Sequence, residues 1–134
     1  MTAAMLHHVS LVTARLDQSI AFYRDVLGFQ QIERPKFASV GAWLQLDAVQ
    51  IHLIANNEGT FRRNATVDTS DGHLAIRVGD FKAVVNDLQA KGFREDASEN
   101  DPKKLVLRIG GPAGYPQAYV RDPDSNIIEF NAAG

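Results

Sequence analysis

The stretch Tyr115–Phe130, YPQAYVRDPDSNIIEF, predicts two β-strands joined by a tight turn. The turn, Asp122–Asn126 (DPDSN), is a dense cluster of residues that favour turns. The strand that follows, Asn126–Asn131, carries a single carboxylate, Glu129, among apolar neighbours. Because a carboxylate within an apolar strand is costly unless it is paired, we expect Glu129 to contact water at a sheet edge, a basic side chain or a metal ion.

The rest of the chain follows one plan twice, with His8 and His73 at corresponding positions 65 residues apart. Each half predicts a strand that carries a histidine, an aspartate N-cap, an amphipathic helix followed by Gly-Phe, and three more strands. The elements predicted for the first half are the strands Leu6–Thr13, Phe29–Glu33, Ser39–Leu46 and Val49–Ile54, and a helix over about Gln18–Leu27 with Asp17 as N-cap. Those predicted for the second half are the strands Gly72–Val78 and Leu105–Ile109, the two strands of the final hairpin, and a helix over about Phe81–Lys91 with Asp80 as N-cap.

This repeat predicts an α+β fold in which two βαβββ modules form an open, cupped mixed sheet. We expect a single domain over residues 1–134, with module one at about 5–58, a polar linker at about 59–71 and module two at about 72–134. Curved sheets of this kind would leave a concave space that receives side chains from both modules.

The composition excludes several classes of function. With a net charge of −2 and both signs interspersed, no basic block is present to follow a nucleic-acid backbone. The chain has no cysteine, which excludes disulfides and thiolate metal sites. It shows neither a signal-peptide pattern nor an apolar run near the roughly 20 residues of a membrane span. We therefore expect a cytoplasmic protein with no membrane partner.

Four side chains that can bind a metal fall at corresponding places in the two modules. His8 and His73 lie on the first strand of each module, and His52 and Glu129 lie on the last. A single histidine is more often a surface or hydrogen-bonded residue than a ligand, but the symmetric set favours a divalent transition metal such as Zn, Ni, Mn or Fe(II). His52 can also line the cleft without binding. His7 has the opposite strand parity to His8 and is interpreted as a residue that binds no metal.

Other polar and aromatic residues keep two interpretations. Tyr119 stands across the hairpin from Glu129, and it is either a hydrogen-bond donor in the cleft or a buried structural tyrosine. Trp43 is interpreted as a core or module-interface residue. Arg62-Arg63 is interpreted as a solvated loop pair, with an anionic substrate as the alternative partner.

Four motifs resemble the vicinal oxygen chelate superfamily, which includes glyoxalase I, fosfomycin-resistance enzymes, extradiol dioxygenases and bleomycin-resistance proteins. They are His7–Leu11 (HHVSL), Ser19–Phe29 (SIAFYRDVLGF), Gly72–Val78 (GHLAIRV) and Tyr119–Glu129 (YVRDPDSNIIE). The resemblance covers nearly the whole chain. It implies the glyoxalase-like fold, usually in a homodimer, with a divalent metal that vicinal oxygens of a small-molecule substrate chelate.

Carried over residue by residue, the resemblance implies His8, His73 and Glu129 as metal ligands. It places His52 where glyoxalase I has its fourth ligand, a glutamate. Glutamate ligands are implicated in the proton transfer of glyoxalase I, so the histidine is a departure at a chemically important position.

On this basis the chain resembles a divalent-metal-dependent glyoxalase-like enzyme of the lyase or isomerase type. The metal would act as a Lewis acid on two substrate oxygens. Glu129 or His52 would move a proton, and Tyr119 or Ser10 would orient the substrate.

Three alternatives stay open. The two histidines and one glutamate of the implied ligand set also suit an extradiol-type dioxygenase with iron. With Tyr119, they suit a fosfomycin-type thiol transferase. A resistance protein that only sequesters its ligand typically lacks such residues. The use of glutathione is undecided, because Asn56 matches a glutathione-contact asparagine of glyoxalase I, whereas Val12 stands where that enzyme has an arginine.

Overall fold

The computed structural model describes residues 2–133, which divide into one compact unit that ends at Phe61 and a second that begins at Arg62. Each unit contains a four-stranded mixed sheet in the element order βαβββ, which confirms the α+β fold that the repeat predicts. Within residues 2–133, no helix has the length and apolar character needed to cross a membrane.

The first unit consists of four strands, a short α-helix and a π-helical turn. In chain order these are β1 (His8–Thr13), α1 (Leu16–Ala21), the π-helical turn (Phe22–Val26), β2 (Gln30–Ile32), β3 (Gly41–Leu46) and β4 (Val49–Ala55). The strands lie in the order β1-β4-β3-β2. The β1–β4 pair is parallel, and the other two pairs are antiparallel.

The second unit repeats this arrangement. Its elements are β5 (His73–Arg77), α2 (Phe81–Ala90), β6 (Val106–Arg108), β7 (Gln117–Arg121) and β8 (Ile127–Asn131). The strands lie in the order β5-β8-β7-β6, again with a parallel first pair and two antiparallel pairs. Each strand of the second unit therefore has an equivalent in the first.

Side-chain alternation gives each sheet one apolar face and one mixed face. Helix α1 packs against β3 and β4, whose buried apolar residues are Ala42, Leu44, Ile51 and Leu53. The equivalent apolar face of the second sheet is formed by Ala118, Val120, Ile128 and Phe130. Each fully buried large aliphatic or aromatic side chain contributes about 1.5–3 kcal/mol through the hydrophobic effect. The residues that alternate with these point to the mixed face.

Helix α1 begins at Leu16, and the prediction of Asp17 as its N-cap is wrong. Arg15 occupies the cap position without a side-chain hydrogen bond. Instead, Thr13 Oγ1 accepts a hydrogen bond from the Arg15 backbone N–H at 3.1 Å and contacts Ser19 Oγ at 2.7 Å. Asp17 lies inside the first turn, where its charge interacts favourably with the helix dipole.

The predicted helix over Gln18–Leu27 changes its winding partway. After α1, the chain continues as the π-helical turn, and the Leu27 N–H donates to the Phe22 carbonyl at 3.1 Å, five residues back. Gly28 has a φ of +81°. This left-handed conformation ends the helical segment as the sequence predicts.

Helix α2 matches its prediction more closely. The side chain of Asp80 accepts a hydrogen bond from the Ala83 N–H at 3.0 Å, so the predicted N-cap is confirmed. Gly92 follows the helix with a φ of +96°. Residues with a side chain adopt this conformation only at a cost, which explains the glycine.

The segment that follows the first unit is held by Arg62, so the interpretation of Arg62-Arg63 as a solvated pair is wrong for Arg62. Its side chain is only 10% exposed and forms an ion pair with Asp71 at 2.7 Å. Its Nη1 donates to the carbonyls of Thr66 at 2.7 Å and Ser125 at 3.3 Å. Arg62 thereby ties this segment to the β7–β8 turn, whereas Arg63 is exposed.

The turn between β7 and β8 is organised by Asp122. Its carboxylate accepts hydrogen bonds from the N–H groups of Asp124 at 2.9 Å and Asn126 at 2.8 Å, and from the Asn126 side chain at 2.8 Å. Ser125 adopts a φ of +70°, a region that favours glycine. This turn fixes the hairpin register in which β7 meets β8.

Candidate functional site

The mixed face of the first sheet carries the predicted residues of module one. In the β1–β4 register, His8 pairs with Gln50 and Ser10 pairs with His52. In the β3–β4 register, Trp43 pairs with His52. Since residues directly opposite each other on paired strands share a face, the sheet brings His8, His52 and Trp43 together.

His52 lies between two parallel rings. Its imidazole stacks on Trp43 with a centroid distance of 4.0 Å and on His8 with a distance of 4.0 Å. His52 Nε2 lies 2.8 Å from Gln50 Oε1. Because an amide oxygen accepts hydrogen bonds, this contact places the hydrogen on Nε2 and leaves a lone pair on Nδ1. Burial, followed by the charges of nearby histidines and Arg34, lowers the pKa of His52, which favours the neutral ring that a metal ligand needs.

His7 contacts this cluster although its strand parity differs from that of His8. Its Nδ1 lies 2.9 Å from His8 Nδ1, and its ring is 6.3 Å from that of His52. Strand β1 begins at His8, so His7 precedes the strand and strict alternation does not apply to it. The exclusion of His7 as a ligand stays a prediction.

The mixed face of the second sheet carries the other predicted residues. In the β7–β8 register, Tyr119 pairs with Glu129 and Gln117 pairs with Asn131. His73 begins β5, next to β8. The expected position of Tyr119 across the hairpin from Glu129 is therefore confirmed.

Glu129 is 4% exposed and lies among hydrogen-bond donors. Asn131 Nδ2 donates to its Oε2 at 2.5 Å, and Gln117 Nε2 donates to its Oε1 at 3.3 Å. Tyr119 lies opposite Glu129 in register, and its hydroxyl stabilises the carboxylate. Burial by itself raises the pKa of this carboxyl group, but the hydrogen bonds and the charge of His73 outweigh it. The net pKa is below the ordinary value, so Glu129 is ionised at neutral pH.

His73 is oriented toward Glu129 by a backbone contact. Its Nδ1 lies 2.7 Å from the Asp71 carbonyl oxygen, which can only accept, so Nδ1 carries the hydrogen. Its Nε2 lies 3.2 Å from Glu129 Oε1. In the neutral ring, a lone pair on Nε2 thus faces a carboxylate oxygen, and a proton or another cation shared by the two atoms relieves their repulsion.

Asn131 and Arg77 extend this network along the sheet. Arg77 Nε can only donate, and it lies 2.5 Å from Asn131 Oδ1. The amide of Asn131 must therefore present its Nδ2 to Glu129. The Arg77 guanidinium also lies over the Tyr115 ring at 4.8 Å. The hydrogen bonds from Arg77 to Asn131 and from Asn131 to Glu129 fix Oε2 of Glu129 and leave Oε1 facing His73.

Tyr119 is buried, as one of the two interpretations from the sequence expects. It is 3% exposed and lies opposite Glu129 in the β7–β8 register. Burial, followed by the hydrogen bond and the negative charge of Glu129, raises the pKa of Tyr119 to about 12. The phenol keeps its proton at neutral pH and acts as a donor.

The strand registers make the two modules equivalent residue by residue. His8 corresponds to His73, His52 to Glu129, and Trp43 to Tyr119. The donors present in each pair are of the kinds that divalent transition metals accept. The hydrogen bond from His73 to a carbonyl is typical of a ligating histidine. Within residues 2–133, no group of three or more His, Asp and Glu side chains is arranged to hold a metal ion.

The remaining predicted residues occupy different settings. Ser10 is exposed on the mixed face beside His52. Asn56 lies after β4, where its side-chain oxygen accepts a hydrogen bond from the Glu58 N–H at 2.9 Å. Sequence reasoning missed Gln117 and Asn131 as partners of Glu129. Side-chain alternation could have identified both residues, because residues that are two apart on a strand, or opposite each other on paired strands, lie on the same face of the sheet.

Comparisons with known proteins agree with this fold. The profile of the Glyoxalase/Bleomycin resistance protein/Dioxygenase superfamily matches residues 5–130. A lactoylglutathione lyase of Haemophilus influenzae is 34% identical over 133 residues, which cover 92% of this chain and 88% of that protein. Glyoxylase I 4 of Arabidopsis thaliana is 29% identical over 127 residues, which cover 93% of this chain and 68% of that protein.

A solved structure extends the similarity to the whole chain. A glyoxalase family protein from Bacillus anthracis aligns with a TM-score of 0.77 and 19% sequence identity. The alignment covers 100% of this chain and 98% of that one. At this identity, the likeness concerns the fold.

Proposed function

Because the chain belongs to the Glyoxalase/Bleomycin resistance protein/Dioxygenase superfamily, we propose that it is a divalent-metal-dependent enzyme of the lyase or isomerase type. The proposed ligands are His8 and His52 from module one, and His73 and Glu129 from module two. The substrate is a small molecule that chelates the metal through vicinal oxygens. We further propose that the protein works as a homodimer.

The approach of His73 to Glu129 carries this proposal. When the His73 ring is neutral, its Nε2 and Glu129 Oε1 both accept hydrogen bonds, and the two atoms lie 3.2 Å apart. The other nitrogen of His73 is committed to a backbone carbonyl, and the other oxygen of Glu129 is committed to Asn131. Outer hydrogen bonds thus hold the lone pair on Nε2 of neutral His73 beside Glu129 Oε1, which accepts only the longer hydrogen bond from Gln117. This is the arrangement that second-layer partners give to metal ligands.

The chemistry of the site follows from the same groups. A bound divalent metal supplies Lewis acidity toward two substrate oxygens. Glu129 is ionised at neutral pH and takes a proton through Oε1, the less firmly bonded oxygen. Tyr119 keeps its own proton and donates to Glu129 or to a substrate oxygen. If His52 stays off the metal, its neutral ring is the second candidate base through Nδ1.

One observation favours a second function, an extradiol-type dioxygenase with three ligands. His52 is held on both faces by Trp43 and His8, and its Nε2 is hydrogen-bonded to Gln50. If these contacts keep His52 off the metal, two histidines and one carboxylate complete an iron site. Oxygen consumption by the Fe(II)-loaded protein with a panel of catechols tests this alternative, and no uptake with any catechol contradicts it.

The proposal is tested by elemental analysis and by turnover of the untagged protein. We expect near-stoichiometric Zn, Ni or Mn in the wild type, and its loss in His73→Ala. The hemithioacetal of methylglyoxal and glutathione is the first substrate to assay, because one relative is named a lactoylglutathione lyase. Glu129→Gln keeps the size of the side chain and should abolish turnover of any substrate found.

Glu95→Gln is the matched control, because Glu95 is exposed on the loop after α2. It should retain both metal and turnover. Full metal-dependent turnover in Glu129→Gln would refute the role of Glu129. Failure of the wild type to bind any divalent metal would refute the metal site.

A further inference from the structure

A row of polar side chains crosses the second sheet next to Glu129. Neighbouring strands place Arg77 opposite Asn131, Asn131 opposite Gln117, and Gln117 opposite Arg108. Residues opposite each other in register share a face, so all four lie on the mixed face. Asn131 and Gln117 lie two residues from Glu129 and Tyr119 along their strands. The row therefore runs beside the proposed ligand pair, about 7 Å further along the strands.

Arg108 differs from the other three residues of this row because its side chain has no bonding partner among the described residues. It is exposed on β6, and its guanidinium has no hydrogen-bond or ion-pair partner among residues 2–133. Asn131 and Gln117 donate to Glu129, and Arg77 is held by Asn131 and by the Tyr115 ring. The charge of Arg108 acts on the Tyr119 phenol, which places it within electrostatic reach of the candidate site.

The equivalent arginine of the first module is used differently. Extending the β2–β3 register by two residues places Arg34 opposite Gly41, just as Arg108 lies opposite Gln117. Arg34 donates to the Ser39 carbonyl and hydroxyl, both at 2.9 Å, and lies over the Phe37 ring at 4.8 Å. The first-module arginine thus holds its own loop, whereas Arg108 has no such task.

We propose that Arg108 binds an anionic group, such as a carboxylate, on the substrate whose vicinal oxygens reach the site at His73 and Glu129. The guanidinium fork matches the two oxygens of a carboxylate. Strand β7 separates β6 from β8, so their axes are about 10 Å apart, and an anionic group a few bonds from the chelating oxygens spans that gap. The inference rests on the proposed function and adds the substrate class.

Two chelators that differ by one carboxylate test this inference. Acetohydroxamate offers vicinal oxygens only, and succinohydroxamate adds a carboxylate on a two-carbon chain. Calorimetric titration of the metal-loaded wild type should show succinohydroxamate binding about tenfold tighter, the effect of one charge-assisted hydrogen bond. Arg108→Gln should abolish this preference and leave the affinity for acetohydroxamate within about twofold.

Arg94→Gln is the matched control, because Arg94 has a side chain that is 66% exposed and lies on the loop after α2. It removes the same charge from the same module and should keep the preference. Equal affinities in the wild type, or an unchanged preference in Arg108→Gln, would overturn the inference.

A metal-free arm separates this inference from the proposed metal site. Succinate titrated into the isotope-labelled protein at constant ionic strength should shift the side-chain amide signals of Gln117 in the wild type and in Arg94→Gln, but not in Arg108→Gln. No shift in the wild type would overturn the anion site even if metal binds. A shift in a protein that takes up no metal would support the anion site and refute the metal proposal alone.

Discussion

Replacing Asn131 by leucine, which has nearly the same size, removes the amide that joins Arg77 to Glu129. In the wild type, Asn131 contacts Glu129 Oε2 and Arg77 Nε, each at 2.5 Å. Asn131 is 5% exposed and Glu129 is 4% exposed. Water therefore has little access to replace the lost amide, and a buried carboxylate is left with fewer donors.

The size of the stability loss in Asn131→Leu follows from the hydrogen bond that is removed. A hydrogen bond to a charged group contributes about 1.5–3 kcal/mol when its partner is removed from a buried site. The donors left to Glu129 are Tyr119, His73 when protonated, and Gln117 at the longer distance of 3.3 Å. We expect Asn131→Leu to lower the free energy of unfolding by about 2–3 kcal/mol at pH 7.

The loss should depend on pH in a defined direction. In the folded wild type, burial raises the pKa of Glu129, but hydrogen bonds led by that of Asn131 bring it below the ordinary value. A depressed carboxyl pKa contributes stability above the unfolded-state pKa of about 4.3, and this stability is lost as pH falls through the folded-state pKa. Without Asn131 the pKa of Glu129 rises. The deficit of the variant should therefore be largest at neutral pH and shrink once Glu129 is protonated in both proteins.

Urea unfolding of the metal-free protein, followed by circular dichroism from pH 7 down to pH 3, measures this dependence. Asn86→Leu, on the exposed side of α2, is the control for the substitution itself. A deficit for Asn131→Leu below about 0.5 kcal/mol at pH 7, the range of ordinary surface changes, would refute the reasoning. A deficit that stays constant with pH would show that Asn131 acts through packing and not through the charge of Glu129.

Two further predictions concern the ends of helices α1 and α2. Gly92→Ala should lower the free energy of unfolding by about 1–2 kcal/mol, because φ is +96° there. Gly79→Ala is the control, because an added Cβ meets nothing within 4 Å at that position. Equal effects of the two changes in urea unfolding would contradict the explanation. Asp80→Ala should cost about 1 kcal/mol through loss of the cap. Asp17→Ala should cost less, because Asp17 is not a cap, and the prediction fails if unfolding midpoints rank the two in the opposite order.

The fold was largely predictable from the sequence, because local signals and the repeat agreed. Turn formers at Asp122–Asn126, the cap at Asp80 and the glycines Gly28 and Gly92 each have a local physical cause that sequence shows directly. The N-cap at Asp17 was wrong, because Thr13 and Ser19 organise the start of α1 through a contact between side chains six residues apart. Such contacts depend on tertiary packing and leave no fixed spacing to read.

The strand positions of the predicted site residues could be read from the sequence, whereas their hydrogen-bond partners could not. Strand alternation and the turn at Asp122–Asn126 are enough to place Tyr119 opposite Glu129. The register between β3 and β4 decides that Trp43 covers His52, and a shift by one residue would have turned Trp43 to the other face. The buried role of Arg62 depends on carbonyl groups distant in sequence, and carbonyl positions are set by the fold.

His52 and Glu129 are equivalent residues of the two modules, and the neighbours of each match the charge of that side chain. Glu129 is ionised, and the positions beside it hold the donors Asn131 and Gln117. The positions equivalent to Asn131 and Gln117 in module one are Ile54 and Gly41, which have no polar side chain.

The neighbours of His52 instead favour an uncharged ring. Trp43 and His8 cover its two faces, and burial lowers its pKa. A carboxylate at position 52 would be desolvated in the same place without the side-chain donors that stabilise Glu129. The histidine is therefore consistent with its surroundings, and the first module is built to present a neutral nitrogen where the second presents an anionic oxygen.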